Sequence, residues 1–344
     1  MSAVTEWAWI RHFAAQFEAC GVQAGEAAVV LCERASRPAL VETSRLALAS
    51  LGAQVAVLEA TTPVNPGPVP IRSTGASVAI AGHPATIAAC AAAGFVVDCT
   101  VEGLLHAPEL GQILGGGARV LMISNEHPEV FDRLPFDPDL APRVEKAVAA
   151  LSNAATMHVT SAAGTDLTID VTGAFVAGSH GMTSGPGTIA HWPGGLVVAF
   201  PAAGTVNGTL VLAPGDVNLT FKEYVRTPIT CTVADDYITA IEGDGLDREL
   251  FASYLAAWDE REAYAVSHVG WGLNHHCRWD VLPLYDKGDI NGTELRAFAG
   301  NFLYSAGANE VAGRYARGHF DLPMRNCTIE LDGTIMVDAG QLVP

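Results

Sequence analysis

The first 140 residues alternate between short, almost continuous apolar runs and segments with helical apolar spacing. Residues 27–32 form such an apolar run, which is typical of a strand covered on both faces. Residues 7–20 and 38–51 have helical spacing, and Gly52 is suited to end the second helix. The alternation predicts an α/β domain with an open, mostly parallel sheet between layers of helices. Further strands are expected at residues 54–58, 77–81, 95–97 and 119–123.

A glycine run at residues 115–117 precedes a predicted strand. A dinucleotide-binding fingerprint places its glycines after a strand and before a helix, so that the helix N-terminus meets the pyrophosphate. The order of elements here is the reverse of that arrangement. The sequence therefore argues against a nicotinamide cofactor.

The pattern of the chain changes after residue 140. Residues 128–142 are rich in proline and acidic side chains and are interpreted as a linker between two domains, residues 1–140 and 141–344. Residues 157–161 and 166–171 alternate in the manner of strands that bury one face. The second domain is therefore predicted to be α+β, with antiparallel sheet.

The chain of 344 residues has a formal charge of −18. Nucleic acids and anionic membranes are bound through clustered Lys and Arg, so neither is an expected partner. No uncharged apolar run reaches the length of a transmembrane helix. The seven cysteines are scattered without a C-x-x-C pair, which favours buried thiols in a reducing cytoplasm over disulfides or a thiolate zinc site.

Four histidines lie in two places near the C-terminus, three of them in residues 268–276 and one at residue 319. Side chains two positions apart in a strand share a face, so His319 and Asp321 can face one site while Phe320 faces the core. With His268 from another segment, they match the 2-His-1-carboxylate set that holds non-haem Fe(II) and leaves coordination positions open. A His–Asp hydrogen bond without any metal would satisfy the same side chains. Both interpretations stay open on these residues alone.

Three segments of the sequence are HWPGG at residues 191–195, SHVGWG at 267–272 and GHFDLPMR at 318–325. In this order and spacing they resemble the 2,5-dihydroxypyridine 5,6-dioxygenases, which are relatives of the thermophilic M29-type aminopeptidases. The similarity covers the whole chain, and the last segment is its most specific part.

The resemblance implies a mononuclear Fe(II), extradiol-type dioxygenase that forms a homo-oligomer. Its substrates would be O2 and a small hydroxypyridine. In this family 2,5-dihydroxypyridine is opened beside the ring nitrogen to N-formylmaleamic acid, in aerobic nicotinate-type degradation. By this resemblance the site consists of the Fe(II) ligands His268, His319 and Asp321, the acid–base residue His106, and the substrate neighbours His191 and Ser305.

Several residues near these segments have two interpretations. Trp192 and Trp271, beside His191 and His268, could supply aromatic walls for a flat ring, but the favoured interpretation is that both belong to the core. His106 could similarly be an ordinary loop histidine. The sequence by itself does not separate these roles.

The aminopeptidase branch supplies the alternative function, a metallo-hydrolase that uses Zn2+ or Co2+. Two cations roughly 3.5–4 Å apart need carboxylates that bridge or neutralise them, and that branch has a glutamate soon after the proline that matches Pro193. Residues 194–198 of this chain contain no acid, and His275 falls near that branch's tyrosine ligand. A single metal ion is therefore expected. A non-catalytic binding protein with the same fold is the third hypothesis.

Overall fold

The computed structural model describes residues 5–61, 64, 78–134 and 136–344. Helices and strands alternate in its first part, and all of the first strand except its first residue is buried. Residues 78–81 are irregular or turn, so the strand expected there was wrong, and Ser77 lies outside the described residues. The elements are α1 (Trp7–Ala19), β1 (Ala27–Glu33), α2 (Pro38–Ser50), β2 (Gln54–Ala60), α3 (Pro84–Ala92), β3 (Phe95–Asp98), α4 (Leu110–Gly115) and β4 (Arg119–Met122).

The four strands form a parallel sheet in the order β2-β1-β3-β4, as predicted, and β8 (Ile189–His191) extends it beyond β4. One face is covered by α1 and α2, with Phe17 and Leu48 in the core. The other face packs against α3 and α4, through Cys90 and Ile113. Because β8 comes from well beyond residue 140, the later part of the chain completes the sheet of the earlier part. The domain division at residue 140 stays a prediction.

Beyond residue 140 the described chain has far more strand than helix. Its α-helices are α5 (Leu140–Asn153), α6 (Leu246–Ala257) and α7 (Thr293–Ala297). None of the described helices is long and apolar enough to cross a membrane. The other strands are β5 (Thr156–Ser161), β6 (Asp166–Asp170), β7 (Phe175–Ser179), β9 (Leu196–Phe200), β10 (Val206–Leu212), β11 (Val217–Asn218), β12 (Glu223–Tyr224), β13 (Ile229–Ala234), β14 (Tyr237–Glu242), β15 (Val266–Gly272), β16 (Phe302–Asn309), β17 (Arg314–Met324), β18 (Cys327–Leu331), β19 (Thr334–Asp338) and β20 (Gln341–Leu342).

Two antiparallel sheets build the second core, as the alternating pattern predicts. One has eight strands in the order β14-β13-β10-β6-β5-β18-β19-β20, and the other has five in the order β17-β16-β15-β9-β7. Buried side chains from both sheets, among them Met157, Leu210 and Val269, belong to one apolar cluster. Residues 192–195 run directly from β8 into β9 and so join the five-stranded sheet to the parallel sheet.

The first half of the proline- and acid-rich segment is packed. Pro128–Arg133 forms a 3-10 helix whose Val130 and Phe131 are buried. The ring of Phe131 stacks on Trp192, with 3.7 Å between the centroids. The linker interpretation was therefore wrong for these residues, because the apolar side chains among the prolines and acids have partners in the α1 core.

All seven cysteines are buried and free. Burial raises the pKa of the Cys32 thiol to about 11 and also raises that of Cys20. These side chains are thus protonated and unreactive at neutral pH, as expected for small buried apolar residues.

Candidate active site

Three neighbouring strands of the five-stranded antiparallel sheet bring the predicted metal ligands together. His268 lies on β15, while His319 and Asp321 lie on β17, with β16 between the two strands. One donor atom from each side chain lies within 4.8 Å of the others. The exposed fractions of the residues are only 6%, 8% and 4%, respectively. In the part of the chain that the structure describes, no other group of three or more His, Cys, Asp or Glu side chains has such spacing.

The pleat of β17 places the two neighbouring ligands on one face. Phe320, between them, points the other way and packs on Phe251 and Tyr254, with ring centroids 5.2 and 4.9 Å away. Side chains of a strand alternate between its faces, so burial of Phe320 in the core directs His319 and Asp321 to the site. This is the arrangement that the H-x-D spacing predicts.

His268 is directed to the same place by an irregularity in its strand. The register between β15 and β16 shifts between Val266 and Val269, and His268 lies within this stretch. Such bulges re-aim side chains and are frequent beside active sites. The His268 ring consequently lies 5.1 Å from that of His319, measured between centroids, and 5.3 Å from that of Phe200.

Asp321 has the most contacts of the three. Its Oδ1 accepts a hydrogen bond from Ser305 Oγ on β16, and its Oδ2 accepts one from Arg296 Nε on α7. His319 Nε2 lies 3.1 Å from Oδ1, and His268 Nε2 lies 3.9 Å from it. The carboxylate is therefore held in one orientation from two sides.

Burial and neighbouring charges set the protonation of this group. Burial lowers the pKa of His268 well below its usual range, and the adjacent His319 lowers it further. For Asp321, burial by itself raises the pKa, but the positive charge of Arg296, and next the contact with His319, keep it well below its usual range. At neutral pH His268 is thus a neutral imidazole and Asp321 a carboxylate, which are the forms that bind a metal cation.

The donor set fits one divalent transition-metal ion. Two imidazoles and a carboxylate are the protein ligands of mononuclear non-haem Fe(II) sites. His268 Nδ1 and His319 Nδ1 are buried without a hydrogen-bond partner among the described residues, so their rings are oriented by packing and by the Asp321 side of the site. Asp321 is the single carboxylate of the group, whereas two adjacent cations need more than one.

A cavity of about 250 Å³ opens beside this group. It lies at the carboxyl ends of β4 and β8, where open α/β sheets bind their ligands. Apolar walls with a few convergent polar groups are typical of small-molecule sites. The walls include Leu105, Phe175, Leu196 and Phe200, and the polar groups include His106, His191, Asn291 and Arg296.

His106 reaches this cavity from the loop after β3. Its side chain is 5% exposed, and its ring centroid lies 4.6 Å from that of His319. Its Nδ1 faces Glu310 Oε1 at 3.5 Å, and its Nε2 is buried without a partner in the described chain. Burial lowers the pKa of His106, which therefore carries a neutral ring with one unengaged nitrogen.

The two predicted substrate neighbours differ in position. His191, at the end of β8, lines the cavity, and its Nδ1 lies 2.9 Å from the carbonyl oxygen of Pro193. Burial lowers the pKa of His191 to about 4, so the ring is neutral. Ser305 is fully buried, and its hydroxyl contacts Asp321.

The two tryptophans belong to the cores. Trp192 packs between Phe13 and Phe131, and Trp271 belongs to the cluster between the antiparallel sheets. Among the described residues, the aromatic walls of the cavity are Phe175 and Phe200. The favoured interpretation of the tryptophans as core residues is confirmed, because their large apolar surfaces are buried by neighbouring elements.

Two residues of the site were not found from the sequence. Arg296 holds the Asp321 carboxylate, and Glu310 contacts His106. Neither belongs to a recognisable motif, and each contact joins separate segments of the chain. Only the folded structure reveals them.

A mixed α/β fold with a buried His–His–Asp group beside a small-molecule cavity defines a candidate mononuclear metalloenzyme. The chain belongs to the 2,5-dihydroxypyridine 5,6-dioxygenase (NicX) family, whose sequence profile matches residues 8–344. The 2,5-dihydroxypyridine 5,6-dioxygenase of Pseudomonas putida KT2440 is 39% identical over 267 residues, which cover 77% of this chain and 75% of that protein. The family predicted from the three segments is thereby confirmed.

Two solved structures are similar to this fold. The 2,5-dihydroxypyridine dioxygenase of Pseudomonas putida KT2440 has a TM-score of 0.91 at 34% identity, covering 97% of this chain and 96% of that chain. The wild-type AmpT of Thermus thermophilus has a TM-score of 0.61 at 12% identity, covering 98% of this chain and 100% of that chain. The second similarity supports the fold alone.

Proposed function

We propose that this chain is a ring-cleaving dioxygenase that converts 2,5-dihydroxypyridine and O2 to N-formylmaleamic acid, using one non-haem Fe(II). Both oxygen atoms are incorporated, so the product is the substrate plus O2 and no other reductant is needed. The observation that carries the proposal is the buried His268, His319 and Asp321 group beside the cavity, in a chain of this family.

His268, His319 and Asp321 would hold the metal and leave further coordination positions open toward the cavity. Bound Fe(II) supplies the redox chemistry that allows a ring with paired electrons to react with O2. Arg296 and Ser305 keep the Asp321 carboxylate fixed, and hydrogen bonds of this kind orient a ligand and tune its basicity.

The cavity walls suit a flat aromatic ring. Phe175 and Phe200 supply aromatic rings, while Leu105 and Leu196 add apolar surface. Aromatic pairs contribute about 0.5–1.5 kcal/mol beyond the burial of their area. The apolar walls thus bind the ring, and the polar groups determine its orientation.

His106 is proposed as the base that accepts a proton from a ring hydroxyl. It has a neutral ring and an unengaged buried Nε2 at the cavity. A positioned imidazole is the usual general base near neutral pH.

His191 is proposed to contact the substrate. Its Nδ1 is engaged by Pro193, which leaves Nε2 as a hydrogen-bond acceptor for the ring. The role proposed for Ser305 is instead to hold the Asp321 carboxylate.

One experiment tests the function directly. The protein is reconstituted with Fe(II) without oxygen, 2,5-dihydroxypyridine is added, and air is then admitted. We expect the ring absorbance to fall while one O2 is consumed per ring. Protein reconstituted in the same way with Asp321→Ala serves as the control and should remain inactive. Ring loss without oxygen uptake, or no reaction in the fully loaded protein, would contradict the proposal.

The assembly and its setting are also proposed. We expect a homo-oligomer in the cytoplasm that serves aerobic breakdown of nicotinate-type compounds. The free buried thiols are compatible with a reducing compartment. Light scattering of the purified protein tests the oligomer, and cell fractionation tests the location.

A further inference from the structure

The turn between β16 and β17 brings the carboxylate of Glu310 next to Nδ1 of the His106 ring. Glu310 Oε1 lies 3.5 Å from His106 Nδ1, although the two residues are far apart in the sequence. We propose that Glu310 is a positioning residue, which accepts the Nδ1 hydrogen of His106 and leaves Nε2 as the proton acceptor at the cavity. The proposal rests on the acid–base role proposed for His106.

The two ring nitrogens of His106 have different surroundings. Nδ1 faces the Glu310 carboxylate, whereas Nε2 is buried and has no partner in the described chain. A neutral imidazole carries a single hydrogen, and a carboxylate beside one nitrogen keeps the hydrogen there. The lone pair is then on Nε2, which is the atom that must accept a proton from a ligand in the cavity.

Glu310 also restrains the orientation of the ring. The His319 ring, 4.6 Å away between centroids and tilted by 39°, covers one side of the His106 ring. This packing alone would allow a ring flip that exchanges each ring nitrogen with a ring carbon, which would turn Cδ2 toward Glu310 in place of Nδ1. The carboxylate removes that equivalence, because only one ring orientation gives it a hydrogen to accept.

The turn that carries Glu310 is itself well held. Asn309 is fully buried, its Nδ2 donates to the Pro201 carbonyl, and its Oδ1 accepts from the Ala312 backbone nitrogen. The Glu310 side chain is 43% exposed, so solvent weakens the ion pair and its effect on stability is small. The expected contribution is therefore the orientation and tautomer of His106.

Kinetics of variants test the proposal. Glu310→Ala should lower kcat by about 10- to 100-fold, the usual effect of a residue that orients an active group, while iron content stays unchanged. KM should be unchanged, because Glu310 does not contact the substrate. Val311→Ala alters an exposed side chain of the same turn and is the matched control, with unchanged kcat expected.

A double variant separates positioning from a merely structural role. In the His106→Ala background, Glu310→Ala should cause no further loss, because the group that it positions is absent. If the kcat loss of the double variant equals the product of the losses of the two single variants, the proposal would be overturned. If Glu310→Ala keeps the wild-type kcat while His106→Ala has a lowered kcat, the positioning role of Glu310 would be overturned, and the proposed role of His106 would stand. Full activity in His106→Ala would instead overturn the proposed role of His106.

A spectroscopic measurement needs no turnover. The full-length chain with 15N-labelled histidine, without added metal, should show a His106 ring protonated at Nδ1. Glu310→Ala should shift the His106 signals toward the Nε2-protonated tautomer or a mixture of both. Identical signals in both proteins would overturn the proposal.

Discussion

Ser305 lies directly opposite Asp321 in the register of β16 and β17, and its hydroxyl donates to Oδ1 of that carboxylate. The resemblance places Ser305 near the substrate. This hydrogen bond instead gives Ser305 an indirect role, because it acts on Asp321, a proposed metal ligand. The two possible roles predict different effects of removing the hydroxyl.

Ser305→Ala is expected to weaken Fe(II) binding by about 10- to 100-fold, as is usual when a hydrogen bond to a ligand is removed, with KM unchanged. Titration against a competing chelator measures the affinity. Ser267→Ala is the control, because it removes another buried hydroxyl, one that donates to the Ala308 carbonyl. A higher KM with unchanged iron affinity would restore the direct substrate role.

Replacing His268, His319 or Asp321 by Ala should abolish stoichiometric iron binding, because each change removes one of three proposed ligands. Elemental analysis of the three variants measures the iron, and circular dichroism checks their folding. His275→Ala, which removes an exposed histidine outside the cavity, should retain iron. Full iron content in all three folded variants would refute the assignment of the ligands.

His106→Ala should retain iron and lower turnover by roughly 10²–10⁴-fold, the usual range for a general acid–base group. The loss should shrink as the pH rises toward the pKa of the substrate hydroxyl, because solvent then supplies the deprotonated ring. The measurement is kcat against pH together with iron content. Loss of iron would make His106 a ligand, and unchanged turnover would make it an ordinary loop histidine.

Gly307→Ala should destabilise the β16–β17 pair next to His319. Gly307 has a φ of +112°, and an added Cβ would lie 2.2 Å from the Gly318 carbonyl oxygen. We expect a loss of more than about 3 kcal/mol in the free energy of unfolding, since strain and collision combine.

Gly313→Ala is the matched control for that change. Gly313 has a φ of +71° but no atom within 4 Å of an added Cβ, so only the backbone strain of about 1–2 kcal/mol should appear. Denaturant unfolding measures both variants. Equal losses would show that the collision with Gly318 is relieved by movement.

Much of the architecture follows from local patterns in the sequence. The buried run of β1 and the alternation in β5 and β6 predict a parallel and an antiparallel sheet, and both are present. Burial of one or both faces imposes these patterns on consecutive residues, so a short stretch of sequence is sufficient to show them. The shared face of His319 and Asp321 on β17 can be predicted for the same reason.

The sequence by itself thus determined the family, the kinds of sheet and the shared face of His319 and Asp321. Only the tertiary structure decided that β8 joins the parallel sheet, that Trp192 belongs to the core, and which residues surround the proposed ligands. Arg296 and Glu310 show the physical reason. Their contacts are single hydrogen-bond or charge interactions between separate segments, and such pairs impose no periodicity on the residues around them.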